Sequence, residues 1–463
     1  MKKNLLAILA AVMVLGLTGC QGSTQAGAPE ATATQAPDKQ PEITVTPEQT
    51  PTQEPTATPK PTVLPTDAGA FEYVELDGGT IKITELKDTS LKAIVIPEKI
   101  DGKKVTEIGW GAFSGCGSLT SVVIPEGVTE IGYGAFSGCS SLTSVVIPES
   151  VTEIDDIVFA GCSNLSEIAV DKKNPAYTSV DGVLFDKEIK TILAVPGKKQ
   201  TYRIPEGVTK IEWGAFAGCS SLTRVEIPES VTEIGNSAFE GCSSLTSVVI
   251  PESVTLIGES AFYRCISLTR VEIPESVTRI GRGAFAGCSS LTRVEIPESV
   301  TEIENSAFAG CSSLSEIAVD KKNPAYTSVD GVLFDKEIKT ILAVPGKMQT
   351  YRIPEGVTTI EDYVFAGCSS LTRVEIPESV TEIGRYAFSG CSSLTSVVIP
   401  EGVTYIGDSA FSGCSSLTSI VIPESVTEIG PFAFLRCSSL TITAPAGSYA
   451  ESWAKENGYN VQH

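Results

Sequence analysis

Histidine is all but absent from this chain: His463, the last residue, is the only one. A terminal imidazole without ordered neighbours cannot serve as the general base of a nucleophilic triad. No Cys-x-x-Cys pair, HExxH pattern or glycine-rich phosphate loop occurs either, which leaves no signature of a metal or nucleotide cofactor. Aromatic residues make up 7% of the chain against 42% hydrophobic residues overall, so a core must be built from Val, Ile, Leu and Ala. Positive charge is also scarce: 34 Lys and Arg face 56 Asp and Glu, a formal charge of −22. Such a chain repels nucleic acid and bare anionic membranes. Carboxylates are the one catalytic material in supply. Yet Glu126, Glu149, Glu229 and Glu252 recur at equivalent turns, whereas an active site is one place. They read as solvated charge, and no enzyme is expected.

Long apolar runs are missing beyond the first twenty residues, so no membrane-spanning helix is expected. Those twenty residues have the form of an export signal, with Lys2 and Lys3 ahead of the apolar stretch from Leu5 to Leu15. Leu17-Thr18-Gly19-Cys20 resembles the lipobox of bacterial lipoproteins. That resemblance implies removal of residues 1–19 and acylation of Cys20, which would be the only attachment to a membrane. Residues 20–68 carry nine prolines with many Thr, Gln and Ala and few large apolar side chains. Proline removes donors and fixes φ, so this segment is expected to be an extended, solvated stalk with a reach of roughly 150 Å at about 3.1 Å per residue.

What the chain has in abundance is repetition. Cysteines at 116, 139 and 162, at 219, 242, 265, 288 and 311, and at 368, 391, 414 and 437 mark a 23-residue period interrupted by two gaps of 57. Residues 162–212 recur at 311–361 with three differences, so a block has been duplicated. In one unit the apolar positions are Cys116, Leu119, Val122, Ile124, Val128, Ile131, Ala135 and Phe136. One coil cannot bury that set, whereas stacked coils can. Val122 and Ile124 have strand spacing, and Pro125 ends the strand because it has no N–H to give a ladder. Twelve Ile-Pro strand ends and two variants, at 168–170 and 317–319, predict a predominantly β solenoid of about fourteen coils. At about 4.8 Å per strand the stack would be roughly 65 Å long.

The recurring Leu-x-x-Val-x-Ile-Pro-x-x-Val-x-x-Ile-Gly-x-x-Ala-Phe-x-x-Cys, carried first from Leu119 to Cys139, resembles the repeat of BspA-like leucine-rich-repeat proteins of bacterial surfaces. The resemblance covers residues 71–463. It implies surface display and adhesion, with host matrix proteins, mucosal surfaces or other microbes as partner classes, and no shared binding site.

Four further expectations concern details. Residues 71–86 alternate around Asp77-Gly78-Gly79 and should form a hairpin capping a solenoid at 69–441. Residues 442–463 should form a C-terminal helix and strand cap, with a capping box at Ser448 to Glu451 and with Tyr449 and Trp453 over the last coil. The two 34-residue units contain a hairpin pattern, Val183-Leu184-Phe185 and Ile192 to Val195, which either protrudes with the loop Asp171 to Pro175 or lengthens a coil. The twelve repeat cysteines should be buried free thiols, because parallel stacked positions do not present the geometry of a disulfide.

The outward strand positions are the ones the core leaves free. Some coils place Arg and Glu there: Arg224 and Glu226, Arg270 and Glu272, Arg293 and Glu295, Arg373 and Glu375. Others place Ser and Val, with Val123, Val146, Val398 and Val421 outermost. The face is expected to be banded, charged in the middle with adjacent Arg columns and more apolar toward both ends. These residues are candidates for binding an extended extracellular protein or glycan, in the manner of an adhesin or scaffold. A passive surface coat, and more distantly a glycan-active enzyme, are the alternatives.

Overall fold

A computed structural model describes residues 64–463, so the expected leader, Cys20 and the stalk as far as residue 63 lie outside the described residues. In the coil that starts at Cys116, Ser121–Val123 is a strand with Val122 buried and its two neighbours exposed. The chain turns after Pro125, whose carbonyl accepts from Val128 N at 3.3 Å. A second, shorter strand, Glu130–Ile131, follows. From Gly132 a run of tight turns carries Ala135 and Phe136 into the core and returns the chain to Cys139.

Each coil is joined to the next on three walls. Long-face strands pair in parallel, Ala93–Val95 with Ser121–Val123 in register. Short-face strands do the same, with Glu130 opposite Glu153 and Ile131 opposite Ile154. On the turn wall the amides of Gly111, Phe113 and Gly115 donate to the carbonyls of Tyr133, Ala135 and Ser137 at 3.0, 2.8 and 2.7 Å. Threonine hydroxyls extend the ladders, as where Thr246, Thr269 and Thr292 donate to the carbonyl 23 residues earlier at 3.3, 3.2 and 3.2 Å. Buried backbone polar groups must be paired, and these ladders make that pairing depend on the neighbouring coil, while bonds within a coil close its tight turns.

The core is a set of like residues in columns. Phe239, Phe262, Phe285 and Phe308 stack with ring centroids 5.2, 5.4 and 5.7 Å apart and planes within 2°. The twelve described cysteines are all free and buried. Nine of their thiols donate to the carbonyl of the phenylalanine one coil back, as Cys242 to Phe216 and Cys265 to Phe239 at 3.2 Å each, whereas Cys219 and Cys368, just past the 34-residue units, donate to the carbonyls of Val195 and Val344. Burial pushes the thiols of Cys219, Cys265, Cys311 and Cys368 up to about 12.

The 34-residue units do contain the expected hairpin, but it does not protrude. Tyr177–Val180 runs antiparallel to Val183–Asp186, which runs antiparallel to Thr191–Ala194, and that strand rejoins the stack in parallel with Lys210–Ile211. Val183, Leu184 and Phe185 are fully buried. Leu184 packs into the core of the preceding coils, whereas Val183 and Phe185 pack into that of the following ones. A strand alternates its side chains, so one that crosses the barrel can plug two cores at once. Val332 to Phe334 does the same in the second copy. The turn at Asp181-Gly182, with φ of 52° and 78°, presents the Gly182 carbonyl to Ile168 N at 2.9 Å and ends the long-face sheet there. Asn174, 1% exposed, fixes the entry to the unit: its Nδ2 donates to Pro148 and Val151 carbonyls, and its Oδ1 accepts from Ala176 and Tyr177 amides, all at 2.8 or 2.9 Å.

Both ends are capped. The hairpin of Phe71–Glu75 and Ile81–Leu86 continues the short-face sheet through Lys103–Ile108. Thr66 N donates to Val95 O, and Val95 N to Thr66 Oγ1, both at 2.9 Å. At the other end the fourteen expected long-face strands are followed by two more, Thr441–Thr443 and Asn460–Gln462, which pair in parallel. The helix Tyr449–Glu456 lies between them, its first turn capped by Ser448 Oγ accepting from Glu451 N at 3.2 Å. Trp453 does cover the last coil, edge-on to Phe434 at 5.8 Å. Tyr449 does not: it is 42% exposed, because Ala450 and Ala454 form the row facing the core and Tyr459 supplies the second ring, 5.7 Å from Trp453. His463 also differs from expectation. The terminal strand holds it in place, with Nδ1 3.2 Å from Ala444 O and Nε2 3.3 Å from Glu451 Oε1. It meets a carboxylate and a carbonyl there, and no nucleophile.

Two outcomes follow from this packing. Asn174→Leu strands four buried backbone groups and should lower unfolding free energy by about 1–3 kcal/mol in chemical denaturation; an unchanged midpoint would show that the coil re-forms without that side chain. The thiols give a pH effect. In the unfolded chain they ionise above about 8.5 and in the folded chain they remain protonated, so the unfolded state binds fewer protons and stability falls as pH rises. The melting temperature should drop steeply between about pH 8.5 and 10, and the drop should shrink when Cys219, Cys242 and Cys265 are replaced together by Ala. The same slope with and without those thiols would assign the effect to Lys and Tyr.

Candidate functional site

The long face is where the repeat's requirements stop. Each strand presents its first and third residues outward and its second inward, as in Arg224–Glu226, Arg270–Glu272 and Arg373–Glu375. All the sequence-derived candidates project from this face: Arg224, Glu226, Arg270, Glu272, Arg293, Glu295, Arg373 and Glu375 as the charged set, Val123, Val146, Val398 and Val421 as the apolar one.

The charges pair along a strand. Arg224 lies 3.0 Å from Glu226 and Arg373 2.9 Å from Glu375, and Arg270 is in close contact with Glu272. Arg293 reaches Glu295 at 3.9 Å and Glu316 of the next coil at 3.3 Å. The arginine side chains remain 57–75% exposed, so each such pair contributes no more than about 1 kcal/mol. Their guanidiniums therefore keep donors free for a partner at small cost.

The expected banding is only partly present. Arg270 and Arg293 do lie on adjacent coils, whose Thr269 O and Thr292 N are 3.3 Å apart. However, Ser247–Val249 sits between Arg224–Glu226 and Arg270–Glu272, with Ser247 opposite both Arg224 and Arg270 and Val249 opposite Glu272. Val249 is 69% exposed, more than Val146 at 58% or Val398 at 63%. The arginine column is thus broken by an apolar rung and again at the second 34-residue unit, leaving three bands, around Arg224, around Arg270 and Arg293, and around Arg373. Arg203 and Arg352 extend the first and the last of those bands, 3.8 Å from Glu226 and Glu375. All three residues were findable: Ser247-Val248-Val249-Ile250-Pro251, Thr201-Tyr202-Arg203-Ile204-Pro205 and Thr350-Tyr351-Arg352-Ile353-Pro354 fit the strand pattern. The loop at Asp171 to Pro175 lies beside the face, with Lys173 3.8 Å from Glu149, and its counterpart Lys322 is 3.4 Å from Glu298.

Among the described residues there is no group of three or more His, Cys, Asp or Glu that could hold a metal ion. No described helix is long and apolar enough to cross a membrane. The arrangement offers an extended surface.

Comparison with known proteins agrees with this architecture. A family model described as the BspA type leucine rich repeat region matches in six copies over residues 79–193, 198–329 and 344–452. No curated protein matches the chain. Among solved structures, a leucine rich cell surface protein from Faecalibacterium prausnitzii A2-165 is 30% identical, with 85% of this chain and 97% of that one covered and a TM-score of 0.49. A leucine-rich repeat protein from Bacteroides ovatus ATCC 8483 is also 30% identical, covering 85% and 98% with a TM-score of 0.41. The pneumococcal vaccine antigen PcpA is 20% identical, covering 84% and 96%, with a TM-score of 0.41. With the family model matched over most of its length, the chain belongs to the BspA-type leucine-rich repeat family.

Proposed function

We propose that the protein is a lipid-anchored scaffold or adhesin of the bacterial cell surface, held through Cys20 and a stalk, whose long sheet face captures an extended extracellular protein or glycan. The observation that carries this role is the set of exposed valines at 123, 146, 249, 398 and 421, which the repeating core does not need. Large apolar side chains left on a solvated sheet are characteristic of contact surfaces. Flanking guanidiniums with spare donors suit acidic groups on the partner. The family membership and the likeness to a protein described as a cell surface protein support the location. Pairing of each Arg with its own Glu favours a second role, a passive coat whose face is merely solvated.

The two roles separate in a binding assay of the intact chain against matrix proteins, mucins and glycans. The scaffold role requires saturable capture of one or a few of them. It also requires that Arg270→Glu with Arg293→Glu weaken capture about tenfold while the melting temperature holds, since exposed substitutions cost only about 0.5 kcal/mol. Val249→Lys with Val398→Lys should act similarly. Self-association without foreign capture would establish the coat.

A further inference from the structure

A second surface lies where the short strand enters the turn wall. There one position per coil stands clear of the core, and in four successive coils it is Trp110, Tyr133, Asp156 and Trp213. The succession follows from the ladder: Gly111 N donates to Tyr133 O at 3.0 Å, Gly134 N to Asp156 O at 3.1 Å, and Gly161 N to Ala217 O at 2.9 Å. The 34-residue unit reaches that wall at Val195, whose N donates to Ala215 O at 2.8 Å, while Gly161 joins the coil of Asp156 to that of Trp213. Trp110 is 64% exposed. Tyr133 and Trp213 meet across Asp156 with centroids 5.6 Å apart and planes at 69°, so one ring face forms a floor and the other a wall.

Carboxylates surround the rings. Asp155 Oδ2 accepts from Tyr133 N at 3.0 Å, and Glu212 Oε1 from Trp213 N at 3.2 Å. The nearby cations are already engaged, Lys210 with Glu212 at 3.0 Å and Glu233 at 3.5 Å, Lys82 with Glu107 at 2.7 Å. Neither Asp155 nor Asp156 has an ion-pair partner among the described residues. Burial, and then the charges of Glu212 and Asp155 against the opposing charge of Lys210, raise the Asp156 carboxyl above its ordinary range.

The geometry points to a docking site for an arginine-bearing segment of a basic polypeptide, its guanidinium stacked on Trp110 or in the Tyr133–Trp213 corner and donating to Asp155 and Asp156. A cation over an aromatic face is attracted to the ring, and a planar guanidinium also matches carboxylates with its forked donors. Charge complementarity selects the occupant: the unpaired carboxylates repel anionic partners, and a neutral one leaves them unpaired. The site lies on a different wall from the sheet face and does not depend on the role proposed for that face.

The test is calorimetric titration of the full-length protein with an arginine nonapeptide, a lysine nonapeptide and a neutral oligosaccharide at about 0.15 M salt. Saturable binding of the arginine peptide is expected, tighter than that of the lysine peptide. Trp110→Ala, and Asp155→Asn with Asp156→Asn, should each weaken it about tenfold. Glu401→Gln with Glu424→Gln, on distant exposed turns, should leave it unchanged. The proposal is overturned if the arginine peptide does not saturate, if the oligosaccharide binds in its place, if lysine binds as well as arginine, or if the distant variant weakens binding equally, since that marks diffuse attraction to an acidic chain. Melting temperatures of the variants should match the parent; a Trp110→Ala variant with lowered stability passes the decision to the Asp pair.

Discussion

Each coil of this protein is unable to close its own hydrogen bonds. The strands of the long face, those of the short face and the amides of the turn wall all find their partners one coil away, and the columns of Phe and Cys bury one another in the same direction. Stability in such an array is mostly nearest-neighbour interface, so the residues that form interfaces cannot drift. This is why Phe239, Phe262 and Phe285 occupy one column with nearly parallel rings, and why the ends require a hairpin and a helix in place of further repeats. The thiols fit the same logic. A side chain small enough to sit beneath a phenylalanine carbonyl, and able to donate to it weakly, fills a position where a larger apolar residue would press on the next coil.

The two 34-residue units show how an interruption can be accommodated under that constraint. An insertion on a solenoid normally leaves as a loop. Here the added strand runs through the interior, and its alternation sends Leu184 one way and Val183 and Phe185 the other. The long-face ladder is broken at that point, but the broken edge is closed by the Gly182 carbonyl and by Ser179 Oγ, 2.6 Å from Ile168 O. The short-face sheet is interrupted as well, between Glu153–Ile154 and Tyr177–Val180, where Tyr177 Oη accepts from Ile154 N at 2.9 Å, and the crossing strand supplies buried side chains to the cores on both sides.

The repeat, its coil pattern, the free thiols and both kinds of cap were legible in the residue pattern because each is fixed by local periodicity acting many times. The errors, and the one choice the pattern left open, fall where a residue's surroundings are set once. Val183 to Phe185 has the composition of a hairpin, and whether a hairpin stands out or turns in depends on the space its neighbours leave. Tyr449 and Trp453 share a helix face by spacing, yet the row that approaches the coil is Ala450 and Ala454, since small residues permit the closer contact. His463 was placed by a terminal strand whose register only the fold reveals. Val249 is a different case: its strand pattern is plain, and the idea of one uninterrupted charged band concealed it.

A solenoid of this kind offers three walls, and the charge chemistry differs between them. On the long face every arginine among the candidates has a glutamate on its own strand, so a partner there must displace or share existing pairs, and its gain comes chiefly from covering valine. At the corner of Trp110, Tyr133 and Trp213 the situation is reversed: the carboxylates of Asp155 and Asp156 have no ion pair, and an incoming cation supplies what the fold leaves out. The difference traces to sequence freedom. Strand positions 224, 226, 270 and 272 belong to the repeated unit and were copied with their compensating charges, whereas Asp155 and Asp156 stand where the repeat has Gly and a variable residue, in the coil that borders the first 34-residue unit. Duplication carries paired charges along with the coil, and departures from the repeat are therefore the places where unpaired charge, and with it selective recognition, can accumulate.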